Sequence, residues 1–115
     1  MRYMLMICTD ETAEQALSSA EDSAMVEDYT GFTGEMRRRG VLEAGERLRP
    51  TTDATTVRVQ NGDLLTFDGP FAETKEQIGG YFIVDCKDLD EAIEVAAKIP
   101  AARRGAIEVR PIWET

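Results

Sequence analysis

The segment DGPFAETKEQIGGYFIVD, residues 68–85, is dense in side chains able to do chemistry. Asp68, Glu73 and Glu76 are carboxylates and Lys75 is an amine. Burial or a nearby like charge would raise a carboxyl pKa, and desolvation would lower that of an ammonium, so either change could equip these groups for proton transfer. Asp68 and Lys75 are the candidate catalytic residues. In that reading Asp68 orients the loop or acts as a base, Lys75 and Arg110 hold an anionic group, and Tyr3 and Tyr81 wall the pocket. Glu73, Lys75 and Glu76 lie between two corners, Asp68-Gly69-Pro70 and Gly79-Gly80, on a loop held at both ends, a usual place for binding groups. Asp68 can accept a hydrogen bond from the backbone ahead of it in an Asx-turn, and Phe71 is the apolar side chain expected to pin the corner to the core. The competing reading of the same residues is structural: turn chemistry at Asp68-Gly69-Pro70, and a solvated turn over Glu73 to Glu76.

A second charged set lies in the last apolar run, AIEVRPIW. Along an extended chain Glu108 and Arg110 share a face with Ala106 and Ile112, while Ile107, Val109 and Trp113 share the other. If the latter face meets helices, Glu108 and Arg110 point the opposite way, and Arg58 in TVRVQ could join them. Charges in an apolar enclosure must pair or meet a ligand. The structural alternative is an ion pair that fixes strand register.

Several classes of chemistry are excluded or disfavoured. The 115 residues contain no histidine, and Cys8 and Cys86 sit in apolar runs without ligand spacing, so neither a zinc site nor another metal or cofactor is expected. The cysteines read as reduced core residues. With 13 basic and 22 acidic side chains the net charge is −9, which repels phosphate backbones and anionic membranes and argues against direct nucleic-acid or membrane binding. The N-terminal apolar run is too short for a secretory signal and no window is long enough to span a bilayer, so a cytoplasmic location is expected. Arg37, Arg38 and Arg39 form a compact basic run that suits the end of a helix.

The elements that must position these groups follow from periodicity. RYMLMIC, residues 2–8, is apolar without alternation, as in a strand covered on both faces. DETAEQALSSAED is a polar connection or short helical turn. Ser18 and Glu21 have capping-box spacing for a helix whose apolar face is Met25, Tyr29, Phe32 and Met36, closed by the arginines and Gly40. Strands are predicted at 41–48 and 54–60, and Asn61-Gly62 marks a tight hairpin into the next. GYFIVDC, residues 80–86, is another strand. Asp88 and Glu91 cap a second long helix with Leu89, Ala92, Ile93, Ala96 and Ile99 on its apolar face, and a final strand covers 106–113.

This order predicts one α+β domain over residues 1–115, a ferredoxin-like split β-α-β skeleton with an added hairpin. Two helices cover only one face of such a sheet. Yet Tyr3, Leu5 and Ile7 alternate with the equally apolar Met4, Met6 and Cys8, and Tyr81 and Ile83 with Phe82, Val84 and Cys86. A monomer would leave the second face bare, so a homodimer with sheets packed face to face around a barrel-like interior is expected.

The stretch DGPFAETKEQIGGYFIVD, with YMLMI, ATTVR, LDEAIEVAAKIP and IEVRPIW, resembles the DGPF proteins of the YCII-related family over nearly the whole chain. The resemblance implies a dimeric α+β barrel, a bacterial origin and, as for many family members, a gene neighbourhood containing an extracytoplasmic-function sigma factor. Some YCII-related proteins are similar to a dehydrochlorinase thought to use a histidine and aspartate pair, which cannot carry over to a chain lacking histidine. Two functions stand as expectations. One is a non-catalytic regulatory or interaction protein whose acidic first third meets a basic partner such as that sigma factor. The other is a small-molecule site, with a lyase-like or isomerase-like reaction, between the DGPF loop and the barrel.

Overall fold

The computed structural model describes residues 1–114. The chain runs β1 (Arg2–Thr9), α1 (Glu11–Gln15), α2 (Ser19–Arg38), β2 (Leu42–Arg47), β3 (Thr55–Gln60), β4 (Asp63–Asp68), β5 (Gln77–Asp85), α3 (Leu89–Ala97) and β6 (Ala106–Pro111). Four strands form one sheet in the order β2-β5-β1-β6, each antiparallel to its neighbours, and β3 and β4 form a separate hairpin. With the hairpin set aside, this order is compatible with a ferredoxin-like fold.

Local chemistry explains the element ends. Ser18 Oγ accepts from Glu21 N at 3.1 Å while the Glu21 carboxylate accepts from Ser18 N at 3.1 Å, the reciprocal capping box read from the sequence. Asp88 caps α3 through Glu91 N at 2.9 Å. Gly40 closes α2 with φ 73°, and Asn61 and Gly62 turn the hairpin with φ 50° and 82°.

The core lies between one face of the sheet and the helices. Tyr3, Leu5 and Ile7 of β1 and Phe82, Val84 and Cys86 of the β5 stretch meet Phe32 and Met36 of α2 and Ala92, Val95 and Ala96 of α3. The Phe82 ring packs on Phe32 at 5.1 Å between centroids and on Tyr29 at 6.4 Å. Arg39 joins the helices: its guanidinium donates to both Glu94 oxygens at 2.8 and 2.9 Å, with Glu91 and Glu35 each at 3.6 Å. The basic run therefore finds part of its partners inside the chain.

Four expectations need correction. Phe71 is not a core anchor; it is 76% exposed on the corner after β4. Trp113 lies beyond β6, which ends at Pro111, and is 89% exposed rather than sharing the buried side of Ile107 and Val109. In α3, Leu89 and Ile93 face water and Val95 takes the core position, because the helix turns its Ala92-Val95-Ala96 stripe to the sheet. The β5 strand starts at Gln77, so Gly79 and Gly80 lie within it. Gly80 still serves close approach, since a Cβ there would stand 2.9 Å from the Glu46 carbonyl oxygen.

The molecule is a slab of 48 × 43 × 18 Å, the thin dimension being one sheet and one helix layer. Its radius of gyration of 16.0 Å exceeds the roughly 13 Å of a compact chain this long. A flat body with a projecting hairpin accounts for the excess.

Candidate functional site

Antiparallel pairing sets Thr9 at the end of β1 opposite Gln77 at the start of β5. The segments that follow and precede these residues are thereby brought together, and a polar cleft of about 290 Å³ lies between them, lined by Asp10, Glu11, Thr12, Thr51, Glu73, Thr74, Lys75 and Gln77. Its walls are held by hydrogen bonds of their own. Asp10 caps α1 by accepting from Thr12 N at 3.0 Å. Glu11 accepts from Thr51 N at 2.8 Å and Thr51 Oγ1 at 2.6 Å, tying α1 to the turn before β3. Gln77 Nε2 donates to the Ala72 and Thr74 carbonyls at 2.8 and 3.2 Å, and Thr74 Oγ1 donates to Glu76 O at 2.7 Å. The loop is shaped by these contacts, and Glu73 and Lys75 supply opposite charges to a cleft able to take a small polar molecule.

The sheet face away from the helices is a second locus. Register sets Ala44, Ile83, Met4 and Arg110 side by side across the four strands, and Glu46, Tyr81, Met6 and Glu108 in the next row. Met4, Met6, Tyr81 and Ile83 are half-buried, with no helix over them. Arg110 forms an ion pair with Glu108 on this face. Cys8 lies at its end, its thiol pKa pushed up by burial first and then by the Glu108 and Glu76 carboxylates.

The predicted site residues separate into groups. Glu73 and Lys75 line the cleft; Asp68, at the end of β4 opposite Thr55, does not. The corner at Gly69 is held by Gly69 N donating to Ala54 O at 2.7 Å and Thr56 Oγ1 donating to Gly69 O at 2.9 Å, with Gly69 at φ 105°. One main-chain bond and one from the Thr56 hydroxyl thus do the work assigned to an Asp68 Asx-turn. Tyr81, Glu108 and Arg110 share the open sheet face, and Ile107 and Val109 turn to the helices, the orientation that was conditional in the sequence. Tyr3 is 3% exposed in the core on the opposite face from Tyr81, so the two do not wall one pocket. Arg58 is on the separate hairpin, its guanidinium 5.2 Å from the Phe71 ring centroid, and does not join Glu108 and Arg110 within the chain.

Sequence reasoning missed Asp10, Glu11, Thr12, Thr51, Thr74 and Gln77. A usable signal existed: in a ferredoxin-like skeleton the first strand pairs antiparallel with the third, which brings the residues after one beside the residues before the other. Among the described residues no group of three or more His, Cys, Asp or Glu side chains is arranged to hold a metal ion. Among the same residues no helix is long and apolar enough to cross a membrane.

An uncharacterised protein of Rhizobium meliloti (strain 1021) is 39% identical over 114 residues, covering 97% of this chain and 92% of the relative. The family model of the YCII-related domain matches residues 1–115, and the chain belongs to the YCII-related family.

Proposed function

We propose that the chain works as a homodimer, its two open sheet faces packed into an α+β barrel, and that this dimer is a non-catalytic regulatory or interaction protein of the cytoplasm. The observation that carries the reading is the sheet itself: Met4, Met6, Tyr81 and Ile83 form an apolar centre that the chain's own helices leave uncovered. A face of that kind is an association surface. The partner of the dimer is basic in this reading, met by the exposed acids Glu21, Asp22 and Glu27 on α2. An extracytoplasmic-function sigma factor is the candidate that the family resemblance supplies. The non-catalytic role is supported by the separation of Asp68 from the cleft and by the use of Asp10 and Glu11 in structural hydrogen bonds.

Sedimentation equilibrium tests the dimer. The wild type should sediment at twice the chain mass, and Met6→Glu with Ile83→Glu should give folded monomer; a wild type monomeric at high micromolar concentration would refute the reading. Capture of the sigma factor on the immobilised dimer should weaken steeply with salt, as expected of an acidic contact surface.

A second reading is favoured by one observation, the meeting of Glu73 and Lys75 in the cleft. It makes the chain a small-molecule-binding protein, or an enzyme of lyase or isomerase type, with Lys75 holding an anionic group. Native mass spectrometry of the purified dimer would then show a bound molecule that Lys75→Ala loses while the dimer persists.

A further inference from the structure

The β3–β4 hairpin cannot be explained by its own chain. Cross-strand pairing sets Val57 opposite Thr66 and Val59 opposite Leu64, so these four share one face. Val57 is 58% exposed, Val59 69% and Leu64 68%. The other face carries Arg58, stacked on Phe71, with Leu65 half-buried. A two-stranded ribbon is marginal in water unless a third strand or a helix supports it. Among the described residues, the hydrogen bonds that tie the hairpin to its surroundings gather at its root, Gly69 N to Ala54 O and Thr56 Oγ1 to Gly69 O, with Thr51 to Glu11 just before it.

We propose that the Val57-Val59-Leu64 face of the hairpin is a clasp that packs on a second copy of this chain; the inference rests on the homodimer reading above. Three observations favour a second copy over another occupant. The first is area: four strands about 4.8 Å apart and about six residues long give a sheet footprint of roughly 400 Å², whereas a stable interface buries about 800 Å² per partner. The hairpin enlarges the footprint by about half, on the same scale. The second is shape: the slab is only 18 Å thick, so the arm extends alongside its own sheet and does not fold over it. In a twofold pair stacked through the open faces, such an arm overhangs the partner's edge. The third is charge. A chain of net charge −9 repels its own copies, and this face is uncharged between the hairpin tip and Asp68 at its root.

The test is sedimentation equilibrium of the full chain, wild type against Val59→Asp/Leu64→Asp, with hydrogen exchange of the hairpin amides across a dilution series. The double variant should raise the dimer dissociation constant by at least about 100-fold, the scale set by losing two buried aliphatic contacts. Far-ultraviolet circular dichroism of its monomer should match the wild-type monomer. Val59→Thr/Leu64→Thr, which keeps strand-forming side chains, should shift the constant in the same direction by less. Hairpin amides should be protected in the dimer and exchange faster on dilution. A wild-type dimer whose constant neither variant changes, with hairpin exchange indifferent to dilution, overturns the clasp alone. A wild type monomeric throughout overturns the dimer reading and the clasp with it.

Discussion

Gly45 sits in the edge strand β2 directly opposite Phe82 of β5. A Cβ on Gly45 would meet the Phe82 ring, 2.7 Å from Cε1, against a carbon–carbon optimum of about 3.5–4.0 Å. Relief needs a shift of roughly 1 Å in a ring that Phe32 and Tyr29 hold from the helix side. Overpacking of this kind costs about 1–3 kcal/mol. The ordinary effect of replacing a strand glycine by alanine has the opposite sign, a gain of roughly 0.5–1 kcal/mol. Gly45→Ala should therefore destabilise by a net 1–2 kcal/mol or so, where a glycine without a packing role would give a gain. Urea unfolding at fixed protein concentration reads this as a midpoint lowered by about 0.5–1 M with an unchanged slope. In a Phe82→Leu background the same substitution should cost less, since the ring that collides is gone. A Gly45→Ala midpoint at or above wild type, or an equal cost in both backgrounds, would refute the account of why glycine stands there.

The remaining predictions concern charge and thiols. Glu94 and Glu35 have carboxyl pKa values below the ordinary 4.5, chiefly through hydrogen bonds from Arg39 and Lys98 respectively. Such groups stabilise the fold above about pH 4.5, and that stability is lost as pH falls through their depressed values. Urea midpoints should decline below that pH, and Glu94→Gln should flatten the decline; an identical acid profile for the variant would count against the Arg39 bridge as a joint between α2 and α3. Burial raises the thiol pKa of both Cys8 and Cys86, so both should react with iodoacetamide more slowly than free cysteine at pH 7.5. Cys86, 2% exposed, should react only on unfolding; labelling of native Cys86 as fast as Cys8 would contradict its place in the core.

The parts of this fold that were legible in the sequence are those decided by local chemistry. Ser18 with Glu21, Asp88 with Glu91, and Asn61 with Gly62 each state a backbone geometry within four residues, and all three are realised. The doubly apolar character of β1 and β5 was equally plain. What periodicity could not supply is which of two greasy faces takes the helices: Tyr3 and Tyr81 are alike in type, yet alternation puts one in the core and the other on the open side. Hydrophobicity alone also misled at Phe71 and Trp113, where a large apolar side chain was expected on the core side but lies largely exposed. The cleft was half legible. Glu73 and Lys75 were recognised from their loop, while Asp10, Glu11 and Thr51 belong to it only through strand pairing between distant segments.

The root of the hairpin has a consequence for how relatives of this chain can diverge. Ala54 and Gly69 already touch through a main-chain hydrogen bond, so the ribbon between them is a detachable appendage whose two ends meet. Trimming, extending or recolouring it leaves the register of β2, β5, β1 and β6 undisturbed. A change in the length or surface of this appendage is accordingly separable from the surrounding scaffold, whose tightly fitted glycines at 45 and 80 leave little room for change.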